Sequence, residues 1–178
     1  ATEGGVGRRP RKDVCVVDRS GGRTPRELGE GLAAEVAGEF HAGHIYVVTS
    51  FDAPRRRVVR VDDVAAGAAG WVDVVAEHSD AVLDSAVPTA DGILVTRSTH
   101  AVSEVAIVAW DGSSERIVSL PNAGTAAVSG RYDQGSGGFI TYTDYVTPPT
   151  VYALATDTGQ SNPWASPPGA APAPPAVP

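Results

Sequence analysis

HIYVVT at His44 to Thr49, GILVT at Gly92 to Thr96 and GFITYT at Gly138 to Thr143 are three versions of one phrase, an apolar run closed by threonine. Each is short, rich in β-branched or aromatic residues, and bounded by Gly, Asp, Ser or Pro, which is the punctuation of β-strands. The three threonines stand 47 residues apart. The same step joins Val58, Val105 and Tyr152, which lie in the strand after the next turn. SFDAP at Ser50 to Pro54 and DYVTP at Asp144 to Pro148 also share their aromatic-x-x-Pro spacing. Self-similarity at this period lies in the range of β-propeller blades, each a four-stranded antiparallel sheet.

Further strands are expected at Val14 to Asp18, Val58 to Val61, Ala81 to Val87, Val105 to Trp110 and Thr150 to Leu154. Several are apolar at consecutive positions, as in Ile93, Leu94 and Val95, so both faces must be covered. Regular helices that could cover them are lacking. The one tempting segment, Pro25 to Ala37, has a start signal in Thr24 and Pro25, but Gly29 and Gly31 interrupt it. A helical turn there is the lesser reading. The cover must therefore come from neighbouring sheets.

The expected fold class is all-β: a partial β-propeller of about three to four blades, below the roughly four to eight that close a ring. Residues 1–11 read as a flexible N-terminal segment, 12–160 as the propeller portion and 161–178 as a Pro/Ala-rich disordered tail, since NPWASPPGAAPAPPAVP offers few partner-forming groups.

With 178 residues and 42% hydrophobic content the chain has the make-up of a water-soluble globular protein. Its net charge of -7 opposes nucleic-acid binding, which needs a basic footprint. No apolar run approaches the about 20 residues that span a bilayer. Cys15 is the single cysteine, so no intrachain disulfide or thiolate cluster is possible, and a cytoplasmic location is expected. The absence of methionine suggests a fragment.

GHIYVVTSFDAPRRRVVRV (Gly43 to Val61) resembles a blade of the N-terminal propeller of the prolyl oligopeptidase family of serine peptidases. WVDVVAEHSDAVLDSAV (Trp71 to Val87), DGILVTRSTHAVSEVAIVAWDG (Asp91 to Gly112) and GFITYTDYVTPPTVYAL (Gly138 to Leu154) are similar to later pieces in the same order. The resemblance covers about residues 12 to 160 and rests on the order of several weak motifs. It implies a propeller that caps an α/β-hydrolase domain and restricts entry to short proline-containing peptides. The implied partners are that hydrolase domain and short peptides, with no cofactor, nucleic acid or membrane. A non-catalytic binding or scaffold propeller is the alternative, and an unrelated β-sandwich a third.

No catalytic, cofactor-binding or metal-binding residue is expected in this chain. A nucleophile elbow needs G-x-S-x-G on a strand-to-helix turn, and GSGG (Gly135 to Gly138) and DGSSE (Asp111 to Glu115) lack that spacing. His41 and His44, three apart, would lie on opposite faces of a single strand; His78 and His100 read as surface residues. Asp62 with Asp63, and Asp80 with Asp84, read as turn residues before they read as acid–base pairs. Cys15 is expected on a buried strand as a small hydrophobe. Arg55, Arg56 and Arg57 read as a solvated turn, with contact to an acidic peptide or to the hydrolase domain as the functional alternative. Trp71, Trp110 and Tyr152 read as packing aromatics rather than a peptide platform.

Overall fold

A computed structural model describes residues 12–17, 25–32, 36–41, 43–131, 135–165 and 168. Strands β1 (Lys12–Val17) and β2 (Pro25–Leu32) form an antiparallel pair, and three four-stranded sheets follow. The first sheet comprises β3 (Val36–His41), β4 (His44–Thr49), β5 (Arg57–Val61) and β6 (Trp71–Val75). The second comprises β7 (Val82–Pro88), β8 (Ile93–Thr99), β9 (Val102–Val108) and β10 (Glu115–Val118). The third comprises β11 (Thr125–Gly130), β12 (Gly138–Thr143), β13 (Thr150–Ala155) and β14 (Gln160–Ala165). Each sheet is a meander in which sequential strands pair antiparallel, which is the plan of a propeller blade. Among the described residues the only helical element is a 3-10 turn at Gly67–Gly70. The expected all-β, open partial propeller is what the chain forms.

The sheets stack through apolar faces. Tyr46 and Val58 of the first sheet, with Val74 and Val75, meet Leu83, Ile93, Val95 and Val108 of the second. On the other face of the second sheet, Leu94, Val105, Ile107 and Val118 meet Ala126, Ile140, Tyr142 and Leu154 of the third. Consecutive residues Ile93, Leu94 and Val95 thus serve opposite neighbours, which is why that strand is apolar without alternation.

The repeat is real, but its register is not the one the threonines suggest. The residues that face the preceding layer are Val47, Val95 and Ile140 on the second strands, steps of 48 and 45. On the third strands they are Val59, Ala106 and Tyr152, steps of 47 and 46. Because side chains alternate along a strand, an odd one-residue slip reverses the face. Thr49 and Thr96 therefore point to opposite sides of their sheets, and so do Val105 and Tyr152. Loops between strands absorb the difference in spacing.

Three details of the fold go beyond the sequence pattern. Among the described residues of Pro25 to Ala37 the lesser reading, a helical turn, is not what forms: Pro25–Leu32 is a strand paired with β1 from Val17↔Pro25 to Lys12↔Leu32. Gly29 and Gly31 weaken a helix, and the pairing partner decides for strand. The ordered sheet also runs past residue 160, because Gln160–Ala165 pairs with β13 and so includes the start of the expected tail. Pro163 fits there because β14 is an edge strand, where a missing N–H is tolerated, and a register shift lies opposite at Val151/Tyr152. Finally, the outward face of the first sheet is not bare: Ile45, Val47, Val59 and Val61 are exposed by no more than 8%. The 3-10 turn on that sheet's flank packs against β2.

Sheet contact is close enough to demand glycine at Gly112, in the β9–β10 turn. Its φ is +74°, and a Cβ there would stand 2.5 Å from the carbonyl oxygen of Val74 in the neighbouring sheet. Gly112→Ala is expected to destabilise the chain by about 1–3 kcal/mol through backbone strain and sheet separation. Thermal melting beside wild type reads this; an unchanged midpoint would mean that the sheets slide apart freely at that turn.

Candidate functional site

Inner and outer strands of the blades are distinguished by their contacts. Strand β11 packs on β7, β8 and β9, and β3 touches β7, so the first strands of successive sheets converge. That is the inner side of a propeller, where the strands bordering the axis stand closest. Along these strands the exposed side chains are mixed: Glu39 and Phe40 on β3, Val82 and Asp84 on β7, and Ala127 and Ser129 on β11. Asp84 is the unpaired residue of a register shift between Leu83 and Ser85, and such bulges re-aim a side chain.

The arginine turn is a junction between blades rather than a freely solvated loop. The Leu83 N–H donates to the Arg55 carbonyl at 2.9 Å, and the Arg56 guanidinium donates to the Leu83 carbonyl at 3.3 Å. The Arg55 N–H donates to Glu77, and Arg57 pairs with Asp73 at 2.9 Å. Arg56 sits at φ +69°, a strained value for a side-chain-bearing residue that the flanking contacts hold. Sequence reasoning missed this because the partner strand lies 27 residues away.

A second junction joins the second and third sheets. Asp91 accepts hydrogen bonds from Ser136 Oγ at 3.2 Å and from Thr156 Oγ1, while the Gly137 N–H donates to Thr156 at 2.7 Å. The serine of GSGG is therefore an inter-sheet tie. Beside it, Arg131, Phe139, Ala153, Asp157 and Asn162 line an open recess of about 350 Å³ on the third sheet.

His41 and His44 do not share a strand. They are directly opposed across the β3–β4 turn, since His41↔His44 is the closing pair of that hairpin. The opposite-face expectation failed because the chain reverses between them. His41 stacks on Trp110 at 4.1 Å between ring centroids, and Trp110 also meets Tyr46 at 4.7 Å. His78 is exposed, its Nδ1 accepting the N–H groups of Asp80 and Ala81; His100 occupies a left-handed turn position at φ +51°. Among the described residues no group of three or more His, Cys, Asp or Glu could hold a metal ion.

The carboxylates are engaged in local structure. Asp62 accepts two hydrogen bonds from the Arg60 guanidinium, at 2.6 and 2.8 Å, which holds its carboxyl below the usual range. Asp63 caps the Ala65 N–H, and Asp80 accepts from Ser79. Trp71 meets Phe51 edge-on and Tyr152 meets Tyr142 likewise, so each contacts its own sheet rather than a shared platform. Cys15 is exposed on β1, against the expectation of burial, because a two-stranded sheet has a face without cover.

Two buried polar groups had no signal in the sequence. Arg97, only 5% exposed, donates through both terminal nitrogens to Glu115, and Glu104 lies 3.5 Å away. Tyr142, fully buried, donates its hydroxyl to Asp144 at 2.8 Å and accepts the Asn122 N–H at 3.1 Å. Burial, helped by the Asp144 carboxylate, pushes the Tyr142 phenol up to about 12. The hydroxyl in turn holds Asp144 well below the carboxylate range, reinforced by the Val146 and Thr147 N–H groups.

These ties join neighbouring sheets into a wall, with the hydroxyls of Ser136 and Thr156 both engaged by Asp91. Comparison with known proteins is consistent with that arrangement. The model of the family "Prolyl oligopeptidase, N-terminal beta-propeller domain" matches residues 12–167. The prolyl endopeptidase of Elizabethkingia meningoseptica is 29% identical over 124 residues, which is 69% of this chain but 17% of that protein. The prolyl endopeptidase of Elizabethkingia miricola is 27% identical over the same length. A solved structure from work on two prolyl endopeptidases superposes with a TM-score of 0.78 at 30% identity, covering 85% of this chain and 22% of that one. Prolyl oligopeptidase B of Galerina marginata shares the fold, with a TM-score of 0.72 at 17% identity. The chain thus spans under a quarter of the relatives it matches, all within their propeller, and it belongs to the prolyl oligopeptidase N-terminal β-propeller family.

Proposed function

We propose that this chain serves as the substrate-gating propeller portion of a prolyl-oligopeptidase-like serine endopeptidase acting on short proline-containing peptides, and performs no hydrolysis itself. The observation that carries this reading is the stack of three four-stranded meanders with converging first strands, at 30% identity to a prolyl endopeptidase. A wall of radial sheets limits what reaches an enclosed space by size, and it needs no reactive side chain to do so. Its natural partner in this reading is the hydrolase domain, which supplies the nucleophile. Polar Glu39, Asp84 and Ser129 on the inner strands fit a surface that stays wet while a peptide passes.

Purified chain is expected neither to cleave a proline-containing chromogenic peptide nor to react with a fluorophosphonate probe, since an activated serine requires a neighbouring base. Turnover together with labelling at one serine would overturn the non-catalytic reading. The peptidase reading is tested separately by mixing the chain with an isolated prolyl endopeptidase hydrolase domain. A complex that sediments as one species supports it, and the absence of any complex favours a free-standing scaffold propeller.

A further inference from the structure

The hairpin that joins β3 to β4 closes on a pair of histidines, and a tryptophan from the second sheet packs against that pair. His41 and His44 are directly opposed in the antiparallel register. Such partners project from the same face of a sheet, with Cβ atoms about 4.5–5.5 Å apart. The ring contacts agree with this placement. His44 meets Tyr46, two residues further along the same face, at 6.5 Å between centroids; Tyr46 meets Trp110, and Trp110 stacks on His41 with an interplanar angle of 11°. His41 is half-buried, and its Nδ1 is enclosed without a hydrogen-bond partner, while His44 is exposed. Both sheets involved have their four strands in this chain, and the pair lies where they meet rather than at the end of the stack.

We propose that His41 and His44 form a two-imidazole chelate for a divalent copper- or nickel-type ion, with water in the remaining positions. Imidazole suits these metals, copper(II) binds most tightly in the divalent series, and both ions accept the tetragonal N,O coordination that two neighbouring imidazoles begin. Metal–nitrogen bonds of about 2.0–2.1 Å place two adjacent ligand nitrogens about 3 Å apart. Trp110 holds the His41 ring in place before any metal arrives, and enclosure of Nδ1 leaves Nε2 as the binding atom. The exposed His44 then has only its own side-chain torsions to set, which keeps the ordering cost small.

The surroundings set the strength. Asp62 stands near enough for the charge of His44 to act on its carboxyl, but two hydrogen bonds from Arg60 offset its negative field. No acceptor orients Nδ1 of His41, and such outer partners of metal-bound histidines are worth about 10–100-fold in affinity. The site is therefore weak, and it selects by donor type, because magnesium and calcium take oxygen ligands. With two protein donors it is smaller than the three-donor groups that are absent among the described residues. It needs no hydrolase domain and stands independently of the peptidase reading.

Titration of the full 178-residue chain with copper(II) chloride tests this, in a Cys15→Ser background because the exposed thiol is a competing ligand. Bound copper quenches an adjacent indole, and Trp110 is one of three tryptophans, so partial, saturable quenching is expected. Its dissociation constant should lie below about 100 µM. Magnesium chloride should give no quenching. His44→Asn, and His41→Phe, which keeps a ring on Trp110, are each expected to weaken binding by about tenfold or more. His100→Asn, on the turn between β8 and β9, leaves it unchanged. Electron paramagnetic resonance of the bound copper should count two imidazole nitrogens, which decides the matter if thermal melting shows that a variant does not fold. A single nitrogen, the absence of saturable quenching, quenching by magnesium as well, binding that survives either histidine substitution, or equal loss in His100→Asn overturns the proposal.

Discussion

Tyr142→Ala is expected to lower stability by about 3–5 kcal/mol, the range for truncating a fully buried aromatic. The ring is packed among Leu94, Val105 and Ile107 of the second sheet and Ala126, Ile140 and Leu154 of its own, so the loss falls on the junction between the two sheets. Gly124 shows how tightly it is held: a Cβ there would stand 2.8 Å from the ring. Against a total of roughly 5–15 kcal/mol for an ordinary domain, this change alone would leave the third sheet largely undocked. Denaturant melts read the effect, and a loss under about 1 kcal/mol would mean that the sheets are not coupled through this ring.

Tyr142→Phe separates packing from hydrogen bonding. It keeps the ring but removes the hydroxyl that bonds the part-buried Asn122 N–H and Asp144, costing about 1 kcal/mol. It also changes the alkaline limb. The phenol is held near 12 in the folded chain and titrates near 10 when unfolded. The neutral group's contribution is therefore complete below about pH 10 and disappears as pH rises towards 12. Wild type should lose stability over that interval more steeply than Tyr142→Phe; parallel curves would remove the hydroxyl network from the account.

Glu115→Gln is the second large change expected. It removes the nearer of the two carboxylates, Glu115 and Glu104, that balance Arg97, whose guanidinium is almost wholly enclosed. Breaking a buried ion pair costs about 3–5 kcal/mol. Glu115 keeps about a third of its side chain in water, so about 2 kcal/mol is the better expectation. Arg97→Met, which removes the charge instead of stranding it, should be much milder. The Arg97 hydrogen bonds hold the Glu115 carboxyl below its usual value. That depressed value makes the pair's contribution whole above the ordinary glutamate range, near pH 4–5, and lost as pH falls through the lowered folded value. Asp144, depressed chiefly by the Tyr142 hydroxyl, acts in the same direction. Acid melts of Glu115→Gln should accordingly be flatter than wild type below about pH 5. An equal acid slope would place the titrating groups elsewhere.

Sequence and structure divide the information unevenly among the strands. Second and third strands such as HIYVVT and VSEVAIV could be read directly, because a strand buried on both faces must be apolar at consecutive positions. First and last strands such as VAGEFH, TAAVSG and QSNPWA were overlooked. They lie at the inner and outer edges, where small, polar or Pro-bearing residues suffice, and pairing with a neighbour makes them strands. The arginine turn illustrates the same limit at the candidate site. Three adjacent arginines look solvated until a strand 27 residues away supplies the carbonyl that Arg56 reaches.

By itself the sequence determined the all-β class, the blade-length repeat, the family resemblance and the lack of a nucleophile elbow, since each is a matter of local pattern or motif. Only the tertiary structure decided which face each residue serves, that His41 and His44 oppose one another across a turn, that Arg97 and Tyr142 are buried with partners, and that one end of the stack is covered while the other is open. Those depend on register and on contacts between segments far apart in the chain. A one-residue change in loop length reverses a strand's faces without altering its composition.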